Sequence, residues 1–272
     1  MAADRPRRNF NPAKTPRYGR PSPFSPDKLV RYSPKWQYSR LMNFPFCGSC
    51  FRPRMYSVVV AVDAASRTNH DSTVANRSAY GVYFGPHCRF NESGMLTSSE
   101  LKSSGAELEA VWRGLEAVLA RRRAGELEGF REIVIMLDSA YAANVFRQWV
   151  WLWEARGWTR ANGQPIKNQA EIQRTHNIIR CMEANNMAVR FWRVDRKWNE
   201  AAAALANAAL DEAADALANA ADALANAADA LANATLDEAA DALANVALDG
   251  AALDGASHSG HHDNGTYYDQ GF

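Results

Sequence analysis

The sequence has few cysteines, no long apolar run and no basic residue in its last quarter. Its 272 residues include four cysteines, which are too few and too scattered for a disulfide scaffold. Cys47 and Cys50 have the spacing of a zinc-ligand pair, but no second pair follows, which disfavours a metal or redox site there. No apolar stretch approaches the roughly 20 residues that a transmembrane helix needs, so we expect no membrane contact. The N-terminus has no apolar signal core, which argues against secretion.

Charge is distributed unevenly along the chain. Residues 199–272 carry no Lys or Arg and 13 Asp or Glu, whereas residues 1–57 carry 12 basic and 2 acidic side chains. A basic segment favours contact with a polyanion, and an acidic one is typical of a solvated surface. Residues 1–54 are also poor in aliphatic side chains, so we predict a disordered basic arm, either a loose nucleic-acid contact or a plain linker. The arm does not decide between nucleus, cytoplasm and mitochondrion.

Apolar strands alternate with amphipathic helices between residues 56 and 194. An unbroken apolar run, residues 58–62, predicts a buried central strand that ends at Asp63. The predicted strands are 56–66, 79–84, one that begins within 88–91, 131–137 and 187–194. The predicted helices are 103–123, 139–146 and 168–184. This alternation predicts an α/β layer.

Three acidic residues occur where these elements begin or end. Asp63 and Asp138 each follow a predicted buried strand, and Glu107 lies at the start of a predicted helix. A solvated strand-end carboxylate, or an acid that complements the helix dipole, would explain any one of them. Together, on neighbouring parallel strands, they predict a site for hard cations such as Mg²⁺ or Mn²⁺. Two such ions about 4 Å apart would suit phosphoryl or phosphodiester chemistry.

Three motifs resemble the type-1 ribonuclease H family over about residues 56–210. They are VDAAS around Asp63, GAELEAV around Glu107 and LDSAY around Asp138, in the family's order. The resemblance implies a five-stranded mixed sheet with helices on both faces. It also implies hydrolysis of the RNA strand of RNA–DNA hybrids, with these three residues as catalytic residues and ligands of two Mg²⁺ or Mn²⁺ ions. Selectivity for RNA would depend on its 2′-hydroxyl groups.

The same resemblance indicates a set of substrate-contacting residues. They are Asn69, Ser139, Trp149, Trp153, Trp158 and Asn168. Trp149 and Trp153 are four residues apart and share a helix face, so packing in the core is an alternative interpretation for them.

The sequence also departs from the family pattern. Ala64-Ala65 follows the first aspartate, the loop at residues 195–198 has no His, and Ala203 stands where a fourth carboxylate is expected. We therefore expect weakened hydrolysis, with a catalytically poor or inactive nucleic-acid-binding protein as the alternative.

An internal repeat fills the C-terminal region. The segment at residues 210–219 recurs unchanged at 236–245, and a seven-residue unit is written three times from Ala214. Ala and Leu favour helix, so we predict one long Ala-rich helix that extends the last helix of the domain. On a straight helix Asp215 would lie roughly 18 Å beyond Ala203, too far to replace the missing acid.

These observations give four expected regions and an expected state of association. The regions are a basic disordered arm (1–54), a ribonuclease H-like domain (55–210), a helical repeat (211–254) and a disordered tail (255–272). We expect a monomer, with self-association through the helix as an alternative, and a third possibility is an interaction protein built on that helix.

Overall fold

The computed structural model describes residues 6–12, 25–43, 52–67, 77–97, 103–127 and 129–256, with side chains to residue 245. It divides into two compact units, Met1–Ala214 and Asp215–Phe272. Of the helices in the described ranges, none is both long enough and apolar enough to span a bilayer.

A mixed sheet forms the centre of the first unit. Its strands are β1 (Val30–Ser33), β2 (Tyr38–Asn43), β3 (Arg52–Pro53), β4 (Ser57–Arg67), β5 (Arg77–Tyr83), β6 (Glu92–Met95), β7 (Glu132–Leu137) and β8 (Ala188–Arg193). Five of them follow the order β6-β5-β4-β7-β8, in which β4, β7 and β8 are parallel, β5 is antiparallel to β4, and β6 is antiparallel to β5. This confirms the predicted mixed sheet, but β1, β2 and β3 extend it to eight strands in the described part of the chain.

The helices are α1 (Pro26–Leu29), α2 (Ser103–Arg123), α3 (Ala140–Asn144), α4 (Val150–Ala155), α5 (Gln169–Ala184) and α6 (Glu200–Ala256). A wider π-type turn, Val145–Trp149, joins α3 to α4, so the helical path continues past the predicted end at residue 146. A short 3₁₀ turn, Arg196–Trp198, precedes α6.

Alternation along β4 divides its side chains between two apolar cores. Val58, Val60 and Val62 face the core formed with α2, α3, α4 and α5. Val59 and Ala61 face the other side of the sheet, where α1 and the first turn of α6 pack. Because successive strand side chains point to opposite faces, an unbroken apolar run requires cover on both. Helices therefore lie on both faces, as predicted.

The prediction of a strand that begins within 88–91 is wrong. Residues 88–91 form a turn, and β6 begins at Glu92. The side chain of Asn91 closes this turn, because its Oδ1 accepts the amide N–H of Phe84 at 2.7 Å and its Nδ2 donates to the carbonyl of Gly85 at 2.8 Å.

The prediction of disorder over residues 1–54 is wrong for the parts that the structure describes. β1 and β2 form a hairpin, and Ser39 of β2 pairs with Val59 of β4, so this segment extends the sheet. Leu29 and Leu41 are 1% exposed in the core of that face. Residues 1–5, 13–24 and 44–51 lie outside the described part of the chain, and so does the Cys47–Cys50 pair.

A second part of the same arm pairs with the edge strand β8. The amide of Phe10 donates to the carbonyl of Phe191 at 3.0 Å, and the amide of Phe191 donates to the carbonyl of Arg8 at 2.7 Å. The Phe10 ring meets the ring of Trp192 edge to face at 5.1 Å between centroids. Two ladder bonds and one aromatic contact therefore fix this segment against the sheet.

The predicted long C-terminal helix is present. α6 has 57 residues, which corresponds to about 86 Å at 1.5 Å per residue. Its first turns pack on the sheet through Ala202, Ala206, Ala209 and Leu210, all buried. From residue 215 to residue 245 every side chain is exposed. The predicted tail, 255–272, lies almost entirely outside the described residues.

Candidate active site

The parallel pairing of β4 with β7 places Asp63 and Asp138 at equivalent positions. Ala61 pairs with Met136, so each aspartate lies two residues beyond a matched pair. Equivalent positions on adjacent parallel strands face the same way and are neighbours across the sheet. The two predicted strand-end acids are therefore brought together. β7 ends before Asp138, whereas β4 continues and pairs Asp63 with Gly81 of β5.

Glu107 of α2 is linked to this pair through Ser139. The Ser139 hydroxyl donates to Oε2 of Glu107 at 2.6 Å, and it also accepts the N–H of Ala142 at 3.1 Å as the N-cap of α3. Because Ser139 directly follows Asp138, the bond holds the helix acid beside the strand-end acid. Glu107 is the fifth residue of α2, so it lies in the second turn and the helix N-terminus does not explain its position.

The three carboxylates form one electrostatic group. The pKa of Asp63 is raised to about 6, first by burial and then by the neighbouring charge of Asp138, with a smaller contribution from Glu107. The N–H of Ala64, which donates to Asp63 Oδ1 at 2.9 Å, and the charge of Arg196 oppose this shift. Burial also raises the pKa of Glu107; the Ser139 bond lowers it and Asp138 raises it further. A divalent cation would relieve this repulsion.

Two residues that the sequence did not indicate as site residues contact Asp138. Arg196, in the loop where the family pattern would have a His, pairs with Oδ2 at 3.3 Å. Asn199 donates from Nδ2 to Oδ1 at 3.4 Å and to the carbonyl of Val62 at 3.0 Å. Asn199 could have been found from the sequence, because it directly precedes Glu200 in the motif with which the family's last helix begins. For Arg196 we find no such signal in the sequence.

The donor set suits a hard cation, but it is not closed around one. Among the described residues, no three His, Cys, Asp or Glu side chains converge closely enough to hold a metal ion. Ser139 donates to Glu107, and Arg196 and Asn199 both contact Asp138, so these two acids already have hydrogen-bond partners in this structure. Ala203, buried one turn after Asn199, supplies no oxygen from its side chain.

One predicted substrate contact, Trp153, lines a cavity of about 400 Å³ beside α2, and two others contact residues that line it. Ser104, one turn before Glu107, lines it together with Tyr141 and Trp153. The Trp153 ring lies 5.8 Å from that of Trp149, and Asn168 donates from Nδ2 to Ser104 Oγ at 3.4 Å. Asn168, Trp149 and Trp153 are thus grouped around this cavity, whose lining residue Ser104 lies one turn before Glu107.

Trp158 adjoins this group, because its backbone amide donates to the carbonyl of Trp153 at 2.7 Å. Trp158 packs edge to face against His176 of α5, at 6.1 Å between ring centroids. Asn69 lies outside the described residues.

Sequence comparisons add to this geometry. The sequence profile of a family described as RNase H matches residues 55–221. The ribonuclease H of Paracidovorax citrulli is 30% identical over 164 residues, which cover 58% of this chain and 97% of that protein. The ribonuclease H of Tropheryma whipplei strain Twist is 35% identical over 106 residues, 38% of this chain, and the match spans only 59% of that relative.

Solved structures with a similar fold were also found. The LC11 RNase H1 in complex with an RNA/DNA hybrid is 18% identical, with a TM-score of 0.41 over 57% of this chain and 97% of its own. The foamy viral protease-reverse transcriptase in complex with dsDNA is 17% identical, with a TM-score of 0.44 over 58% and 97%.

Proposed function

This chain belongs to the RNase H family, and we propose that it hydrolyses the RNA strand of RNA–DNA hybrids with Asp63, Glu107 and Asp138 as catalytic residues. One observation carries the proposal: three acids meet, because Asp63 and Asp138 lie at equivalent positions on paired strands and Glu107 accepts a hydrogen bond from Ser139, the residue after Asp138. Acids from three separate elements that influence one another's ionisation are typical of a catalytic site.

Members of the family generally use divalent metals, and Asp63, Glu107 and Asp138 would hold two Mg²⁺ or Mn²⁺ ions here. Such ions supply Lewis-acid stabilisation of the charge that develops on a phosphodiester. Ser139 keeps Glu107 oriented toward the site. The Arg196–Asp138 pair is exposed on the arginine side, so it contributes about 0–1 kcal/mol and its exchange for a cation costs little.

Ala203 supports a proposal of weakened turnover. With Ala at this position the site has three carboxylates instead of four. At least one of the two cations would then have less negative charge from the protein to balance its own. The same observation favours the second candidate function, a protein that binds hybrids and cleaves them poorly or not at all.

We place the substrate contacts at Ser139, Trp149, Trp153 and Asn168, with Asn69 and Trp158 as further proposed contacts. The cavity beside Ser104 adjoins Glu107, so a strand laid across the carboxylates would reach the indole of Trp153. Stacking on an aromatic ring is worth about 1–3 kcal/mol per base.

The decisive experiment is cleavage of an end-labelled RNA–DNA hybrid in Mg²⁺ and in Mn²⁺. We expect Asp138→Asn to abolish cleavage and Ala203→Asp to raise it at least about tenfold, which equals about 1.4 kcal/mol of activation free energy. Asp27→Asn, at an exposed site on α1, is the matched control and should leave the rate unchanged.

Other outcomes would separate the two functions. Hybrid binding without cleavage in either metal, unchanged in Ala203→Asp, would favour the binding protein. Cleavage by the Asp138→Asn variant at the natural rate would contradict the assignment of Asp138 to the catalytic site.

In place of the expected monomer we further propose its alternative, that α6 associates with a second copy of itself. Leu217, Leu224 and Leu231 recur every seven residues and are 55%, 72% and 68% exposed. The Asp residues at 215, 222 and 229 fall about 140–160° around the helix from this stripe. The apolar face is therefore uncharged and self-complementary, and pairing leaves the acids in solvent.

Sedimentation velocity tests this association. The triple variant Leu217→Gln/Leu224→Gln/Leu231→Gln should sediment as a monomer at a concentration where the natural chain is a dimer. Asn219→Gln, which changes the opposite face, should not alter the distribution. A natural chain that remains monomeric at high concentration would contradict the proposal.

A further inference from the structure

A second polar cavity lies at the opposite end of the parallel strands. Its volume is about 570 Å³, and it is lined by Arg54 and Tyr56 before β4, Arg131 and Glu132 at the start of β7, and Arg190 of β8. Glu132 and Asp138 are six residues apart on one extended segment, which places the two regions about 20 Å from each other. The mechanism proposed above uses none of these residues.

Glu132 is the acid at the centre of this cavity, and two arginines already neutralise it. It is 5% exposed. Its Oε2 accepts from Arg54 at 2.7 Å, and its Oε1 accepts from Nε of Arg190 at 2.7 Å. Further bonds, from Arg54 Nε to Oδ1 of Asn43 and from Arg190 to the carbonyl of Arg7, fix both guanidinium groups. The triad carries a net charge of +1 in a fixed geometry.

Arg131 adds a charge that nothing in the described part of the chain pairs. It is exposed, and no ion pair to it is found among the described residues. Its addition brings the cavity to a net charge of +2. Tyr56 is 50% exposed beside it and presents both an aromatic ring and a hydroxyl. Because Arg54 and Arg190 are held by Glu132, their remaining N–H groups lose little conformational entropy when an anion binds.

From this arrangement we propose an anion site for a phosphate ester, centred on Arg131, Arg54 and Arg190. Planar guanidinium groups bind phosphate oxygens in pairs, and charge-assisted bonds of this kind are the strong ones. A purely structural role would explain Arg54 and Arg190, because these two arginines neutralise the buried carboxylate of Glu132. It would not explain why a third arginine, Arg131, lines the same cavity. The proposal does not depend on hydrolysis at the carboxylates.

Two sources can supply such a group: a backbone phosphate of a nucleic acid, or a free nucleotide. At about 20 Å from Asp138, a backbone phosphate here is distinct from the scissile one. It would belong to a distant part of the same strand or to another nucleic acid, and it would add affinity without contributing to chemistry.

Binding measurements on the full chain in metal-free buffer, where no cleavage occurs, test the site. The first probe is AMP, whose binding is measured by titration calorimetry. The second is a labelled 20-base-pair RNA–DNA hybrid, whose binding is measured by fluorescence anisotropy across a salt series. We compare Arg131→Gln, Arg131→Lys and Arg31→Gln. Arg31→Gln is the matched control, because Arg31 is an exposed arginine of β1 outside the cavity.

If the ligand is a nucleic acid, Arg131→Gln weakens hybrid binding and lowers the slope of log K against log salt by about 1, while Arg31→Gln does not. If the ligand is a free nucleotide, the natural chain and Arg131→Lys bind AMP and Arg131→Gln does not. The proposal is overturned if Arg131→Gln and Arg31→Gln behave alike with both probes. It is also overturned if AMP does not bind and the salt slope is unchanged.

Discussion

The side-chain amide of Asn199 lies 3.4 Å from Oδ1 of Asp138. The same nitrogen donates to the carbonyl of Val62, next to Asp63, at 3.0 Å, and the residue is 1% exposed. One buried amide therefore joins the residue before α6 to β4 beside Asp63 and to Asp138 at the end of β7. It acts as a positioning residue, because it fixes Asp138 without belonging to the three acids.

Asn199→Ala should lower both stability and cleavage. It leaves the Val62 carbonyl without its side-chain donor and releases Asp138, and loss of such a buried bond costs about 1–3 kcal/mol. Thermal unfolding measures the first effect. The second should be a fall in kcat with little change in KM. Asn207→Ala, an exposed position in the same helix, is the control, and an equal effect in both variants would remove the positioning role.

Asp63 should make the metal-free protein less stable as the pH rises. Its folded pKa of about 6 lies above its ordinary value of 3.8, so the folded state holds the proton more tightly. The stability that this contributes is complete below about pH 4 and is lost as the pH rises through 6. Asp63→Asn should therefore be more stable than the natural chain at pH 8, by an amount on the order of 2 kcal/mol.

At pH 4 that difference should vanish, and Mg²⁺ should reduce it at pH 8. Urea unfolding at the two pH values gives the comparison. Buried His176, whose pKa is lowered to about 4, acts in the opposite sense, since its contribution is lost as the pH falls from 6.5 to 4. His176 is present in both proteins, so its contribution cancels from the difference in stability between Asp63→Asn and the natural chain. A difference that does not depend on pH would contradict the assigned shift.

Arg8→Ala should destabilise the fold strongly. The Arg8 side chain is 0% exposed, pairs with both oxygens of Glu183 at 2.8 Å, and lies 2.9 Å from Nδ1 of His176. Removal of one partner from a buried pair costs about 3–5 kcal/mol, because the other charge is left uncompensated. Arg7→Ala should cost little, since that side chain is exposed. Chemical denaturation of both variants measures the contrast, and similar midpoints would show that the segment does not hold the fold.

Gly81→Ala should disturb the site through α6. A Cβ at Gly81 would lie 2.2 Å from the carbonyl oxygen of Ala202 and 2.8 Å from the amide nitrogen of Ala206, so backbone must move. We expect a loss of about 1–3 kcal/mol, as for other overpacked positions, together with reduced cleavage. Gly94→Ala, where the added atom meets only the Tyr80 side chain at 3.2 Å or more, is the control. Equal melting temperatures would show that α6 can shift freely.

The sequence predicted the central sheet because its pattern is local and strong. The run at residues 58–62, the helix at 103–123 and the juxtaposition of Asp63 with Asp138 all follow from periodicity and position, although β4 continues to Arg67 and does not end at Asp63. The contacts of Arg196 and Asn199 with Asp138 were not predictable in this way, since they join residues about 60 positions apart.

The composition of the N-terminal arm led to a wrong prediction of disorder, because this segment too is stabilised by contacts with residues far away in the sequence. Few aliphatic residues occur there, but Leu29 and Leu41 enter a core that is already present, and Arg8 finds its partners on α5. A segment that cannot form its own core can still be ordered by another one.

The exposed stretch of α6 gives this protein an unusual tolerance to changes in length. Seven residues are almost two full turns, so the gain or loss of one repeat unit shifts the leucine stripe by only about 20° and changes the helix length by about 10 Å. Because no side chain between Leu210 and residue 245 is buried, such a change leaves the core contacts of the described residues intact. Unequal recombination within the repeat could therefore produce a series of helix lengths in a population, each attached to the same folded domain.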